Sequence, residues 1–304
     1  MAATLPAQAP PGPGTPPAGA PTPEEVLKII GEQVASMGNT TFDIRHSAVP
    51  PPKEYLTNGR EPAFDAGGNI VPAVSQAGSR PTRTAPTMAA NFVTIKNSPV
   101  RVQFASRTEY YVGHTIEGNL HLEQFGHATR GHAEAQHSTR MFVTQVKTYS
   151  PYGTAFALLP VFFVDRYRAA VATSEPAELS WSIENATATE VTLALRAKGK
   201  LSLHAVFALP SYRCICLRTY DSNESQLDCI QPVAGTSVSP QWPFLAGKYT
   251  NSYRGVSMRT SEVVSTAPLK PGTMKPQQAP KGFVTITWEE RLKQINAQVQ
   301  KAKR

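Results

Sequence analysis

The sequence predicts an all-β fold: one or two β-sandwich domains, with an extended proline-rich N-terminal arm and short terminal helices. Three observations predict it. Between residues 91 and 233, short runs rich in β-branched and aromatic residues are separated by Gly, Asn and Pro, which is the punctuation of strands. Of the 27 prolines, 15 fall in residues 1–86, leaving that quarter of the chain poor in backbone donors. Each end also carries one capped segment whose apolar residues recur at helical spacing.

Within the arm, TPEEVLKIIGEQVASMG places Thr22 as N-cap, Pro23 at the first helical position and Glu25 where a capping box needs it. Val26, Ile29, Ile30, Val34 and Met37 then share one face, and Gly38 can close the helix. A helix this short is marginal alone, so the apolar face needs a partner, either the chain's own core or a neighbouring subunit. Residues 39–90 alternate turn residues with isolated hydrophobics and read as extended backbone.

From residue 91 the runs NFVTI, VRVQFAS, TEYYV, TIEGNLHLEQF, RMFVTQVKTY and TAFALLPVFFV read as strands, and GHATRGHAEAQHSTR as a polar loop joining two of them. In AELSWSI, Leu179, Trp181 and Ile183 alternate onto one face. In TEVTLAL, Val191, Leu193 and Leu195 do the same. GKLSLHAVF and SYRCICLRTYDSNESQLDCIQPV add further strands, whereas residues 234–282 show no long ones. FVTITWEERLKQINAQVQKAKR then ends the chain in a second helix, with Thr287 and Glu290 as its capping box and Leu292, Ile295 and Val299 on one face.

The expected organisation is an arm over 1–90 with a helix at 23–37, a β-rich domain or half-sandwich over 91–160, and a sandwich over 161–233. A basic extended tail over 234–304 ends in a helix at 288–302.

An inward Trp181, a short link, a strand, a Gly-led strand and a hairpin opened by Tyr212 form a pattern that resembles the immunoglobulin-like and fibronectin-type repeats of bacterial and phage surface proteins. The resemblance covers residues 161–233. It implies an Ig-like sandwich, as against the broader jelly-roll-like alternative, with Leu179, Trp181, Ile183, Val191, Leu193, Tyr212 and Cys214 in its core. Tyr212, two residues before Cys214, stands where a tyrosine corner would. No cysteine near Trp181 can pair with Cys214, so no cross-sheet disulfide is expected.

Chemistry-bearing motifs are scarce. Five of seven histidines, His114, His121, His127, His132 and His137, fall within 24 residues, but their spacing is not that of a helical metal site. Cys214, Cys216 and Cys229 are too few for a disulfide framework, and Cys214 with Cys229 reads as a reduced cross-strand pair. Asp165 between Arg166 and Arg168 reads as a solvated ion-pair edge. No phosphate-cradling loop, dinucleotide fingerprint, nucleophile elbow or zinc-protease motif is present. The expectation is a protein that is no enzyme and needs no cofactor or metal.

Charge sets the expected partners. The net +8 lies in residues 245–304, which hold 11 Lys/Arg against 3 Asp/Glu. Lys248, Arg254, Arg259, Lys270, Lys275, Lys281, Lys301, Lys303 and Arg304 are the candidate contacts to an anionic partner. With the arm and the terminal helices, this suggests a structural subunit that interlocks with copies of itself or neighbours in a large assembly, a viral or phage virion above all. A microtubule-associated or axonemal protein and a nucleic-acid-binding adaptor are the alternatives. The start lacks a secretory signal and no run is long enough to span a bilayer, so a virion or a cytoplasmic, cytoskeletal location is expected.

Overall fold

The structure, a computed structural model, describes residues 20–48, 56–57, 61–62, 98–116, 118–146, 160–171, 178–221, 223–236, 240, 242–253 and 256–302. Among these residues it is mostly β, with one large open mixed sheet and three short helices. The helices are α1 (Pro23–Ser36), α2 (Pro160–Val171) and α3 (Trp288–Ala302). The strands of the first half are β1 (Thr40–Ala48), the short β2 (Leu56–Thr57) and β3 (Glu61–Pro62), β4 (Ser98–Phe104), β5 (Tyr110–Ile116), β6 (Asn119–His127), β7 (Gly131–Gln136) and β8 (Met141–Thr144). Those of the second half are β9 (Leu179–Ala186), β10 (Glu190–Ala197), β11 (Lys200–Ala208), β12 (Arg213–Tyr220), β13 (Gln226–Pro232), β14 (Lys248–Tyr253), β15 (Val256–Pro268) and β16 (Val284–Thr287).

The hydrogen-bonded order is β16-β8-β7-β6-β5-β4-β1-β15-β14-β13-β12-β11-β10-β9, with β2 and β3 forming a separate ladder. This corrects the immunoglobulin-like resemblance. Strands β9 to β13 form an antiparallel meander in which each pairs with its sequence neighbour, whereas an Ig sandwich divides its strands between two facing sheets through Greek-key connections. Strand β16 is parallel to β8.

Two compact units divide the chain. The first holds Met1–Ile29, His46–Asn97 and Ser174–Glu262; the second holds Ile30–Arg45, Ser98–Thr173 and Val263–Arg304.

In the second unit, alternation along the strands makes two apolar faces. Phe42, Ile44, Val100, Val102, Phe104, Tyr110 and Val112 lie buried on one, where Phe104 meets Phe162 of α2 edge-on at 5.5 Å. Tyr111, Phe125, Ala133, Ala135 and Phe142 cluster on the other, under Met274 and Phe283. Those last two belong to the segment between β15 and β16, which crosses this face as a strap. Gln103 donates to the Thr273 carbonyl and accepts from the Lys275 N–H, and Arg130 donates to the Gln277 carbonyl. On the helical face the Tyr110 ring lies over Gly126, its direct partner in β6, in space that a side chain there would need.

Both predicted capping boxes form. The Glu25 N–H donates to Thr22 Oγ1 while the Thr22 N–H donates to Glu25 Oε2, and Thr287 and Glu290 repeat the exchange.

Three sequence expectations change. Pro160–Val171 is a helix, because Pro160 suits the first turn and Val161, Val164, Asp165 and Arg168 recur at helical spacing despite their β-prone neighbours. The expected polar loop contains β7, whose inward positions are only alanines, Ala133 and Ala135. Residues 234–282 contain β14 and the 13-residue β15, whose inward positions are polar and so lack an apolar alternation.

Candidate functional site

In the first unit, register aligns one residue from each of seven strands into a single row: Ile183, Leu193, Ala205, Leu217, Ile230, Asn251 and Arg259. All seven are buried. Six inter-strand steps make the row about 29 Å long. Five of its positions are aliphatic, the sixth is an amide and the seventh a guanidinium, so polarity rises only at one end. The flanking row Trp181, Leu195 and Leu203 continues the apolar surface.

At the polar end, burial pulls the Arg259 guanidinium down to about 10 while the nearby Asp228 carboxylate pulls it back up. Burial pushes Asp228 above the usual carboxylate range, against the Thr219 hydroxyl, which donates to it at 3.1 Å, and the charge of Arg259. Ser261, next on this face of β15, meets His46 Nδ1 at 2.9 Å. Beside this end Trp242, Phe244, Leu245 and Ala246 are buried in an irregular turn, held where the Ala246 N–H donates to Tyr249 Oη at 2.8 Å. Two unlike ionisable groups have thus been taken out of water at the end of an apolar face. Such an arrangement adds little to stability by itself, since desolvation offsets the attraction.

The opposite face of the same strands carries a charged network. Glu184 accepts from Arg196 at 2.6 Å and contacts His204 Nε2 at 2.7 Å. Burial lowers His204, and the Glu184 carboxylate only partly offsets it. Farther along this face Cys216 and Cys229 bring their sulfurs to 3.6 Å. The expected pair was Cys214 with Cys229. A bulge at Ile215 turns Cys214 to the apolar face, because Val206 pairs with Cys216 while Phe207 pairs with Cys214.

In the second unit Glu123, wholly buried, accepts from Tyr111 Oη at 3.0 Å, contacts His137 Nε2 at 2.8 Å and is bonded by Lys275 Nζ of the strap. Burial raises its carboxyl, but the bonds from Lys275, His137 and Tyr111 together outweigh burial and hold it below the usual range. Asp165 is also fully buried, and Arg107 and Arg168 both grip it. The solvated edge expected there is therefore corrected: helical spacing brings Arg168 beneath it, and Arg107 arrives from 58 residues away.

Of the residues singled out in sequence, Ile183, Val191, Leu193 and Cys214 are buried, and Leu179, Trp181 and Tyr212 are half-buried. Val26, Ile30, Val34 and Met37 of α1 are wholly buried within this chain, and Ile29 is half-buried. Among the basic residues, Arg259 is buried, Lys248 half-buried, Lys270 and Lys281 exposed, and Lys275 is engaged with Glu123. Arg254, Lys303 and Arg304 lie outside the described residues, as does the side chain of Lys301.

The histidines disperse: His132 stacks on Tyr110, His114 meets His121 edge-on, His127 caps the turn at Thr129, and His137 serves Glu123. No group of three His, Cys, Asp or Glu among the described residues could hold a metal ion. Sequence reasoning named Arg259 as an anion contact but missed its burial beside Asp228, and it missed Glu123. Only a register, which a lone sequence does not print, brings them to their partners.

The chain matches no protein-family model and no curated protein sequence. Its course is similar to that of three solved structures. One is a domain described as that of an outer membrane lipoprotein-sorting protein from Vibrio parahaemolyticus, 8% identical, with a TM-score of 0.45 over 85% of this chain and 97% of that one. The second is a LolA superfamily protein from Nitrosomonas europaea, 8% identical, with a TM-score of 0.47 over 84% and 99%. The third is a DUF1329 family protein from Desulfovibrio piger, 6% identical, with a TM-score of 0.42 over 83% and 98%. At these values the similarity carries no argument about ligand or activity.

The expectations of a virion subunit, of a cytoskeletal or nucleic-acid-binding alternative, of self-assembly partners and of a virion or cytoplasmic location are corrected. The described strands other than β2 and β3 join one open sheet in place of the expected sandwich, and α1, one of the helices meant to interlock with a neighbour, buries its apolar face within this chain. Part of the basic segment meant for an outside anion is used inside the fold, Arg259 within the sheet and Lys275 on Glu123. No helix among the described residues is long and apolar enough to cross a membrane.

Proposed function

We propose that this chain is a non-catalytic binding protein for an anionic amphiphile, a long acyl chain ending in a carboxylate or similar head. The row from Ile183 to Arg259 carries the reading: five aliphatic positions in line, then an amide, then a guanidinium. An acyl chain laid along it would meet aliphatic side chains over most of its length, and the buried Trp242, Phe244 and Leu245 of the turn add further apolar surface. Its head would reach Arg259, whose charge is already desolvated and therefore attracts an anion more strongly than a surface arginine does. The polar networks around Glu184, Glu123 and Asp165 hold strands, strap and helix together, and they are read as structural.

Titration with oleate and with the matching neutral alcohol, on the full chain and on Arg259→Leu, tests the reading. Loss of one charge-assisted contact predicts a roughly tenfold or greater weakening for oleate, with the alcohol unaffected. Equal affinity of both proteins for oleate would contradict the role of Arg259, and no binding of either ligand would contradict the function itself.

A further inference from the structure

We propose that Cys216 and Cys229, on the face of the first unit's sheet opposite the apolar row, form a peroxide-reactive dithiol in which Cys216 is oxidised first and Cys229 resolves it to an intramolecular disulfide. Their sulfurs are 3.6 Å apart on adjacent antiparallel strands, so the second thiol is already in contact with the first. Arg218 pairs directly with Cys229 and lies two residues beyond Cys216 on the same face, which sets a fixed positive charge beside both sulfurs. Cys216 is 6% exposed and Cys229 8%, enough for a small oxidant and too little for a bulky disulfide.

The two sulfurs differ in kind. The two thiols share a hydrogen bond in which either sulfur can donate; with Cys229 as the donor, that bond, assisted by Arg218 and Gln231, pulls Cys216 below the usual thiol range against burial. The same bond, with burial, pushes Cys229 up. In that arrangement Cys216 is the thiolate, and the role of nucleophile is assigned to it. Cys214, buried on the other face, is pushed up by burial and takes no part.

In the first step the Cys216 thiolate attacks one peroxide oxygen. The S–O bond forms, the O–O bond breaks, and hydroxide leaves and takes up a proton as water. In the second step the Cys229 sulfur attacks the sulfenic sulfur of Cys216. The S–S bond forms, the S–O bond breaks, and water leaves carrying the proton of Cys229. Two thiols are oxidised and one peroxide is reduced to two waters. Closing from 3.6 Å to a disulfide bond length of about 2.05 Å needs a rotation of the side chains and a small shift of the strands.

The wild-type full chain, treated with dilute hydrogen peroxide, alkylated in denaturant and weighed intact, tests this directly. The expected product has lost the mass of two hydrogens and accepts one alkyl group, at Cys214, and dithiothreitol restores all three. Cys229→Ser should stop at a Cys216 sulfenic acid that dimedone captures, Cys216→Ser should form no disulfide, and Arg218→Gln should slow the reaction severalfold. A wild-type protein that keeps three alkylatable thiols, or whose disulfide includes Cys214 or a second chain, would overturn the proposal.

Discussion

Gly113 stands directly opposite Glu123 in the ladder between β5 and β6, and because Gly113 has no side chain the ring of Tyr111 lies across it. That placement lets Tyr111 Oη reach Glu123 at 3.0 Å. One missing methyl group thus aims the hydroxyl at the buried carboxylate that Lys275 of the strap also holds.

Gly113→Ala should therefore displace the Tyr111 ring and destabilise the fold by about 1–3 kcal/mol, the range for a forced shift together with a lost hydrogen bond to a charged group. Tyr111→Phe removes the same hydrogen bond without the clash and should cost less. In a double-mutant cycle by urea unfolding the two effects should be strongly non-additive. Additivity would show that Gly113 does not act through Tyr111.

Acid should loosen the strap. The folded-state pKa of Glu123 lies below its usual value of 4.5, so its stabilising contribution is whole above that value and is lost as pH falls through the folded one. The difference in unfolding free energy between wild type and Glu123→Gln should be largest near neutral pH and shrink steadily below about pH 4.5. A gap that widens on acidification would mean that burial, and not the bonds from Lys275, His137 and Tyr111, dominates at this carboxyl.

Asp165→Ala removes the carboxylate that Arg107 and Arg168 share. Breaking a fully buried pair costs about 3–5 kcal/mol. Both arginines here are about one-third exposed and can recover water, so a smaller loss of about 2–3 kcal/mol is expected. Arg168→Ala should cost less, since Arg107 keeps both of its bonds to Asp165. Thermal unfolding of the two variants provides the comparison.

Strands β9 to β13 were legible because their apolar residues alternate, as at Val191, Leu193 and Leu195. Both capped helices were legible from Thr22 with Glu25 and Thr287 with Glu290. The candidate site was half legible. Ile183 and Leu193 were read as inward, yet the polar end of their row was not, because Asn251, Arg259 and Ser261 give β14 and β15 the composition of a surface loop. The joining of the strands into one sheet was illegible for a different reason. It depends on contacts such as His46 with Ser261, 215 residues apart, which local pattern does not encode. The bulge at Ile215 similarly exchanged which cysteine meets Cys229.

The central claim is that an acyl chain lies along the row from Ile183 to Arg259. Quenching of tryptophan fluorescence by dibromostearate, against unbrominated stearate as control, tests it most directly, because Trp181 flanks the row and Trp242 lies in the turn beside its polar end. The account predicts saturable quenching that falls in Trp181→Phe and in Trp242→Phe and persists in Trp288→Phe. Quenching that is absent, or that survives the loss of both Trp181 and Trp242, would contradict it.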